Sequence, residues 1–158
     1  MPLITLFIYG FLSAAAALLL QVVATALGGS LTEIAASTGF ISLSVLFLFA
    51  AALIEEGSKW IFFRQFRVRL GDTLSSPSPF GLGVIFGLGF SLVEIGLIAF
   101  SLKTFSILPL AGIIGVHILT SLFYSYYLFR LTPRVLSHTL FLLALTTLLH
   151  ACYNLFLV

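Results

Sequence analysis

Apolar runs about as long as a bilayer is thick constrain this chain more than any motif does. Five are visible, at about residues 3–27, 39–63, 80–102, 105–130 and 137–158. Each holds roughly 20 residues or more, enough for a helix rising about 1.5 Å per residue to cross a ~30 Å hydrocarbon core. Lipid offers no hydrogen bonds, so the backbone must satisfy itself, and that selects helices. The expectation is an all-α integral membrane protein. It would be a single transmembrane domain over residues 1–158, a bundle of about five transmembrane helices enclosing a polar intramembrane cavity. Composition points the same way: hydrophobic residues make up 61% and charged residues 8%, against roughly 25% charged in soluble domains.

Several function classes fall away at once. The net charge of +2 and the absence of a basic stripe exclude nucleic acid as a partner. The single cysteine, Cys152, excludes an internal disulfide and a cysteine-rich metal site. The glycines from Gly81 to Gly87 have the wrong spacing for a dinucleotide fingerprint, and no strand precedes them. Residues 3–27 end near Ala24-Thr25-Ala26, which resembles a cleavage site. No Lys or Arg precedes the run, however, and it is longer than the roughly 7–15 apolar residues of a signal peptide, so a retained helix is expected.

Breakers set the expected connections. Gly28-Gly29-Ser30 opens the first, Gly71-Asp72 through Pro79 forms the second, and Thr132-Pro133 closes the fourth segment. Pro109 falls near the start of that segment, where proline is tolerated. Arg64, Arg67 and Arg69 fall between segments two and three, Arg130 and Arg134 between four and five, and Lys103 alone on the other side. The positive-inside rule then places the N-terminus in the cytoplasm and the C-terminus outside a cell membrane.

In so apolar a chain the polar residues carry the information. Ionisable groups inside a bilayer are costly, face the bundle interior and mark functional sites. Six stand out: Glu55, Glu56, Lys59, Glu94, His117 and His150. Glu55 and Lys59 sit at i,i+4 in the order that favours an ion pair, with Lys59 near enough to the Arg64 end to snorkel. Glu56 is rotated about 100° away, so the two carboxylates cannot share a partner equally. Glu94 shares a helix face with Ser91 and Gly87, and Gly83 with Gly87 forms a small-xxx-small pair for close helix approach. His117, Thr120, Ser121 and Tyr124 form one inward polar stripe. The run Tyr124-Ser125-Tyr126-Tyr127 is expected in the interfacial aromatic belt. His150 and Asn154, one turn apart with Thr147 beside them, could hold one oxygen between two donors. Cys152 is expected to pack, and His138 to be solvated. Counted from the arginine-bearing ends, Glu55 lies about 13 Å deep and Glu94, His117 and His150 about 18–21 Å deep. Groups so nearly level point to one shared cavity.

The order Glu55-Glu56-x-x-Lys59, Phe90-x-x-x-Glu94, a membrane His117 and His150-x-x-x-Asn154 resembles the PrsW family of intramembrane proteases. That family is grouped with the type II CAAX prenyl endopeptidases and bacteriocin-processing enzymes. The CAAX branch typically has Glu-Glu-x-x-x-Arg and Phe-x-x-x-His, whereas this chain has Glu55-Glu56-Gly57-Ser58-Lys59 and Phe90-Ser91-Leu92-Val93-Glu94, which look more like PrsW. The resemblance covers segments two to five. It implies cleavage of a membrane-anchored protein substrate on the extracytoplasmic side, with Glu55 or Glu56 activating a water. By analogy it implies that His150 and Asn154 stabilise the oxyanion.

The chemistry can also be argued from the residues. A buried carboxylate near a cation can act as a general base, and His150 and Asn154 could donate to a developing oxyanion. Glu94 and His117 would orient the water or protonate the leaving amine, with Lys59 and Phe90 in support and no cofactor needed. One alternative is a zinc-dependent membrane protease with Glu94, His117 and His150 as ligands. Others are a proton-coupled transporter or a non-catalytic subunit of a membrane complex. The sequence leaves the oligomeric state open.

Overall fold

A computed structural model describes residues 2–36, 41–70, 78–101, 107–131 and 136–157. Among these the chain is five α-helices and no strands: α1 (Pro2–Ala36), α2 (Ile41–Leu70), α3 (Pro79–Ser101), α4 (Ile107–Arg130) and α5 (Leu136–Leu157). The architecture is an all-α membrane bundle, as the apolar runs require. Stretches within α1, α3, α4 and α5 are each long and apolar enough to cross a membrane. The outer face carries large apolar side chains such as Leu19, Phe100, Leu108, Phe141 and Phe156. The interior collects Ser, Thr, His, Glu and Lys. With lipid as solvent, exposed leucine costs nothing and unpaired polar groups cost much, so polar side chains turn inward.

The helix ends depart from the sequence expectation in physically instructive ways. Gly28-Gly29-Ser30 does not end the first helix, which continues to Ala36. A helical glycine costs only about 1 kcal/mol relative to alanine, less than leaving backbone groups unpaired. Arg64, Arg67 and Arg69 stand in the last turns of α2, not in a connection. Cations at a helix C-terminus are favoured by its partial negative charge. Pro79 opens α3 instead of breaking the chain before it, because a first-turn proline loses no intrahelical bond. Ser78 precedes it and accepts a bond from the Leu82 amide at 3.1 Å through its carbonyl. Gly71-Asp72, Lys103, Thr132-Pro133 and Arg134 lie outside the described residues.

Glycines let the helices approach closely. A Cβ on Gly83 would come 2.8 Å from Leu122 Cα, and one on Gly87 would come 2.7 Å from Ile118 Cα. The expected small-xxx-small pair is therefore the α3–α4 contact. A second close crossing, unmarked by that spacing, joins α1 to α3: Gly10 lies against the Phe86 carbonyl and Gly89 against the Phe7 carbonyl.

One half of the bundle interior is aromatic. Phe63 and Phe86 stack with centroids 4.3 Å apart, Trp60 meets Tyr124 and Tyr127 at 5.8 Å each, and Tyr9 packs edge-on against Phe66 at 5.7 Å. Only Tyr126 of the expected aromatic belt faces outward. Tyr124, Ser125 and Tyr127 are buried, because their hydroxyls find partners inside. Tyr124 meets Thr146 on α5 at 2.5 Å, Ser125 donates to the Pro79 carbonyl at 2.6 Å, and Tyr127 meets Thr139 at 3.3 Å.

Candidate functional site

Beside the aromatic layer, at about the middle of α3 and α4, the ionisable residues converge. α2 supplies three of them within little more than one turn. Lys59 is fully buried, so the snorkelling expectation does not hold. Its ammonium donates to Glu56 Oε1 at 2.6 Å and to Thr120 Oγ1 at 2.9 Å, and it sits 4.6 Å from the centroid of the Phe90 ring. The expected Glu55–Lys59 pair is thus replaced by an i,i+3 pair with Glu56. The cause is direction: Glu56 and Lys59 share the face turned toward α4 and α5, whereas Glu55 meets α1. A lone ammonium buried among apolar helices would cost several kcal/mol, and the carboxylate, the hydroxyl and the ring face together compensate it.

Glu55 is held differently. Gln21 on α1 donates to its Oε1 at 2.8 Å, and its Oε2 has no hydrogen-bond partner among the described residues. His150 on α5 reaches both acids with different nitrogens, Nδ1 lying 2.9 Å from Glu56 Oε1 and Nε2 lying 3.5 Å from Glu55 Oε2. The sharing is therefore unequal, as the 100° rotation requires. A carboxylate only accepts, so Nδ1 of His150 is assigned the proton.

His117 on α4 pairs through Nε2 with Glu94 on α3, while its buried Nδ1 has no hydrogen-bond partner among the described residues. Its ring packs against Phe90 at 4.6 Å and edge-on to His150 at 5.0 Å. Glu55, His117 and His150 each offer one ligand atom, and the three atoms lie within 4.8 Å of one another. Glu94, grouped with His117 and His150 in the sequence, is not part of this grouping. Glu94 stands behind His117 instead.

A cavity of about 130 Å³ adjoins this cluster, lined on its polar side by Gln21, Glu55 and Glu94 and on its apolar side by residues of α1 and α3, including Ala14, Ala17, Leu18 and Phe90. It lies on the side of the network away from the aromatic layer and the α2 arginines.

The structure thus brings together Glu55, Glu56, Lys59, Phe90, Glu94, His117 and His150. Asn154 is half-buried and, among the described residues, no hydrogen bond ties it to the cluster. His150 faces the two acids instead of pairing with it. Cys152 is exposed on the bundle exterior, so it is not a packing residue, and His138 is exposed as expected. Sequence reasoning missed Gln21 and the role of Thr120. The signal for Gln21 was present: it is a carboxamide within an otherwise apolar run. A further polar link, Ser58 donating to the Ser13 carbonyl at 2.8 Å, fastens α1 to α2 beside the site. Compared with protein-family models, with curated proteins and with solved structures, the chain has no match.

Proposed function

We propose that the chain is an intramembrane peptidase of a cell membrane that hydrolyses a peptide bond of a membrane-anchored protein, with Glu55 as the base that activates water. The observation that carries this reading is the difference between two adjacent acids. Glu56 is locked between Lys59 and His150. Glu55 is held by one oxygen on Gln21, keeps the other free of hydrogen bonds among the described residues with only the His150 Nε2 at 3.5 Å, and lines the cavity. Its volume accommodates a few waters at about 30 Å³ each. In the reaction Glu55 takes a proton from water as the water oxygen adds to the carbonyl carbon. The carbon–nitrogen bond then breaks, and the amine leaves with a proton passed from the Glu94–His117 pair. The resemblance to PrsW-type motifs supports the same class, and the proposed orientation has a cytoplasmic N-terminus, which the arginines at the end of α2 favour. Glu55→Gln keeps the shape and the Gln21 contact but removes the base. It is expected to cut turnover by at least about 10²-fold, measured on single-pass membrane proteins in proteoliposomes. Cleavage that survives this change removes Glu55 from the mechanism.

A second reading rests on the Glu55, His117 and His150 grouping. Each histidine has a carboxylate at its other nitrogen, Glu94 behind His117 and Glu56 behind His150, which is the usual backing of metal-bound histidine. These donors fit Zn²⁺, although ligands about 2.0–2.2 Å from a tetrahedral ion stand closer together than 4.8 Å, so the side chains would have to draw in. Bound there, zinc would lower the pKa of a water and polarise a carbonyl. The two readings separate on chelation. Turnover abolished by chelator and restored by stoichiometric zinc selects the metal, and chelator-resistant turnover selects Glu55 alone. Glu94-dependent proton flux without cleavage selects a transporter.

A further inference from the structure

Outside the buried site, the arginine-bearing end of α2 forms an open groove of about 500 Å³ along one helix face, lined by Trp60, Ile61, Arg64, Gln65, Val68 and Arg69. The spacing i, i+1, i+4, i+5, i+8 and i+9 keeps all six on one stripe. The stripe is chemically graded. Ile61 and Val68 are 52% and 73% exposed and apolar. Arg64 and Gln65 are exposed beside them, and Trp60 closes one end, supported by Tyr124 and Tyr127. No ion pair among the described residues engages Arg64 or Arg69. The acids of the membrane interior, Glu55, Glu56 and Glu94, are committed to the histidine–lysine network. Arg69 is steadied over the Tyr9 ring at 5.8 Å, while Arg67 turns away onto Phe129 at 5.9 Å and takes no part in the groove.

Depth identifies the occupant. The network lies level with Phe90, the midpoint of α3 (Pro79–Ser101), and so near the bilayer centre. At about 1.5 Å per residue, Arg64 and Arg69 stand about 12 and 20 Å beyond Glu56 along α2. Half of a ~30 Å hydrocarbon core ends between them. Two guanidiniums with no ion-pair partner among the described residues at that height, with a carboxamide beside them and an indole and branched aliphatics along the same stripe, match a lipid phosphate and its proximal acyl chain. Guanidinium is suited to phosphate because it donates two parallel hydrogen bonds, and basic pockets at this level attract anionic headgroups.

We infer that the groove formed by Trp60, Arg64, Gln65 and Arg69 is a binding site for the headgroup of an anionic phospholipid. The site is separate from the Glu55 cavity and does not depend on what that cavity does. Trp60 is the chain's single tryptophan, so its fluorescence reports occupancy directly. The full chain in zwitterionic detergent would be titrated with short-chain phosphatidylglycerol, with phosphatidylcholine and glycerol phosphate as parallel arms. A saturable Trp60 response to phosphatidylglycerol alone is expected, weakened at least about tenfold in an R64Q/R69Q variant and unchanged in R67Q. Because all three arginines lie at the helix end, circular dichroism and thermal unfolding of both variants confirm that the fold persists. An equal response to phosphatidylcholine, a response to glycerol phosphate at the same concentrations, or wild-type affinity in R64Q/R69Q each overturns the inference.

Discussion

Glu56 and Lys59 are both fully buried and each is the other's nearest countercharge at 2.6 Å. Removing one member leaves a charge in an apolar interior, at a cost of about 3–5 kcal/mol. Lys59→Met is therefore expected to lower the thermal unfolding midpoint sharply, and Glu56→Gln likewise. The double variant should recover part of the loss, because no charge is then left unpaired. Glu55 behaves oppositely: with one oxygen on the Gln21 amide and the other free of hydrogen bonds among the described residues, Glu55→Gln should shift the midpoint little while removing turnover. Unfolding curves in detergent, measured beside cleavage, distinguish a structural acid from a reactive one. Equal destabilisation by both glutamine substitutions would contradict the assignment.

Helix packing sets the second scale. α3 is held between α1 and α4 by glycines that leave no room for a side chain, since a Cβ on Gly87 would meet the backbone of α4 at 2.7 Å. Contacts with backbone cannot be relieved by rotating a side chain. Gly87→Val is therefore expected to force α3 from α4, separate Glu94 from His117, and abolish folding or activity. Gly57 and Gly96 have open space where a Cβ would stand. Alanine there should be neutral or stabilise by roughly 0.5–1 kcal/mol, since glycine is a poor helix former. A thermal melt of the three variants checks the contrast.

Across the whole molecule the interior is polarised. Packed aromatics from α1, α2, α3 and α4 fill the half toward the α2 arginines. The cavity with Gln21, Glu55 and Glu94 lies in the other half. Water should thus reach the site from the end opposite the arginines. In a Cys152→Ser background, Leu18→Cys at the cavity wall is expected to react with a small charged thiol reagent, and Phe86→Cys in the aromatic layer to stay protected. Labelling of Phe86→Cys but not of Leu18→Cys would reverse the direction of access.

The membrane fold was legible because it depends on one-dimensional properties. The length of an apolar run and the cost of an unpaired backbone group in lipid leave helices as the available form, and the rarity of charge makes Glu55, Glu56, Lys59, Glu94, His117 and His150 conspicuous. Helical periodicity also placed the His117–Tyr124 stripe and the Gly83–Gly87 contact correctly, since both depend on a single helix's geometry. Pairing was decided elsewhere. Lys59 could reach Glu55 or Glu56 equally well along α2, and only Thr120 of α4, His150 of α5 and the Phe90 ring of α3 bring it to Glu56. Gln21 gained its role because α1 packs beside Glu55, and Asn154 made no bond to the cluster because His150 turned to the two acids. The sequence determined which groups enter the membrane and at what depth, since both follow from composition and rise per residue. The tertiary structure decided which acid is locked by hydrogen bonds and which keeps an oxygen without one, because that depends on side chains arriving from four other helices.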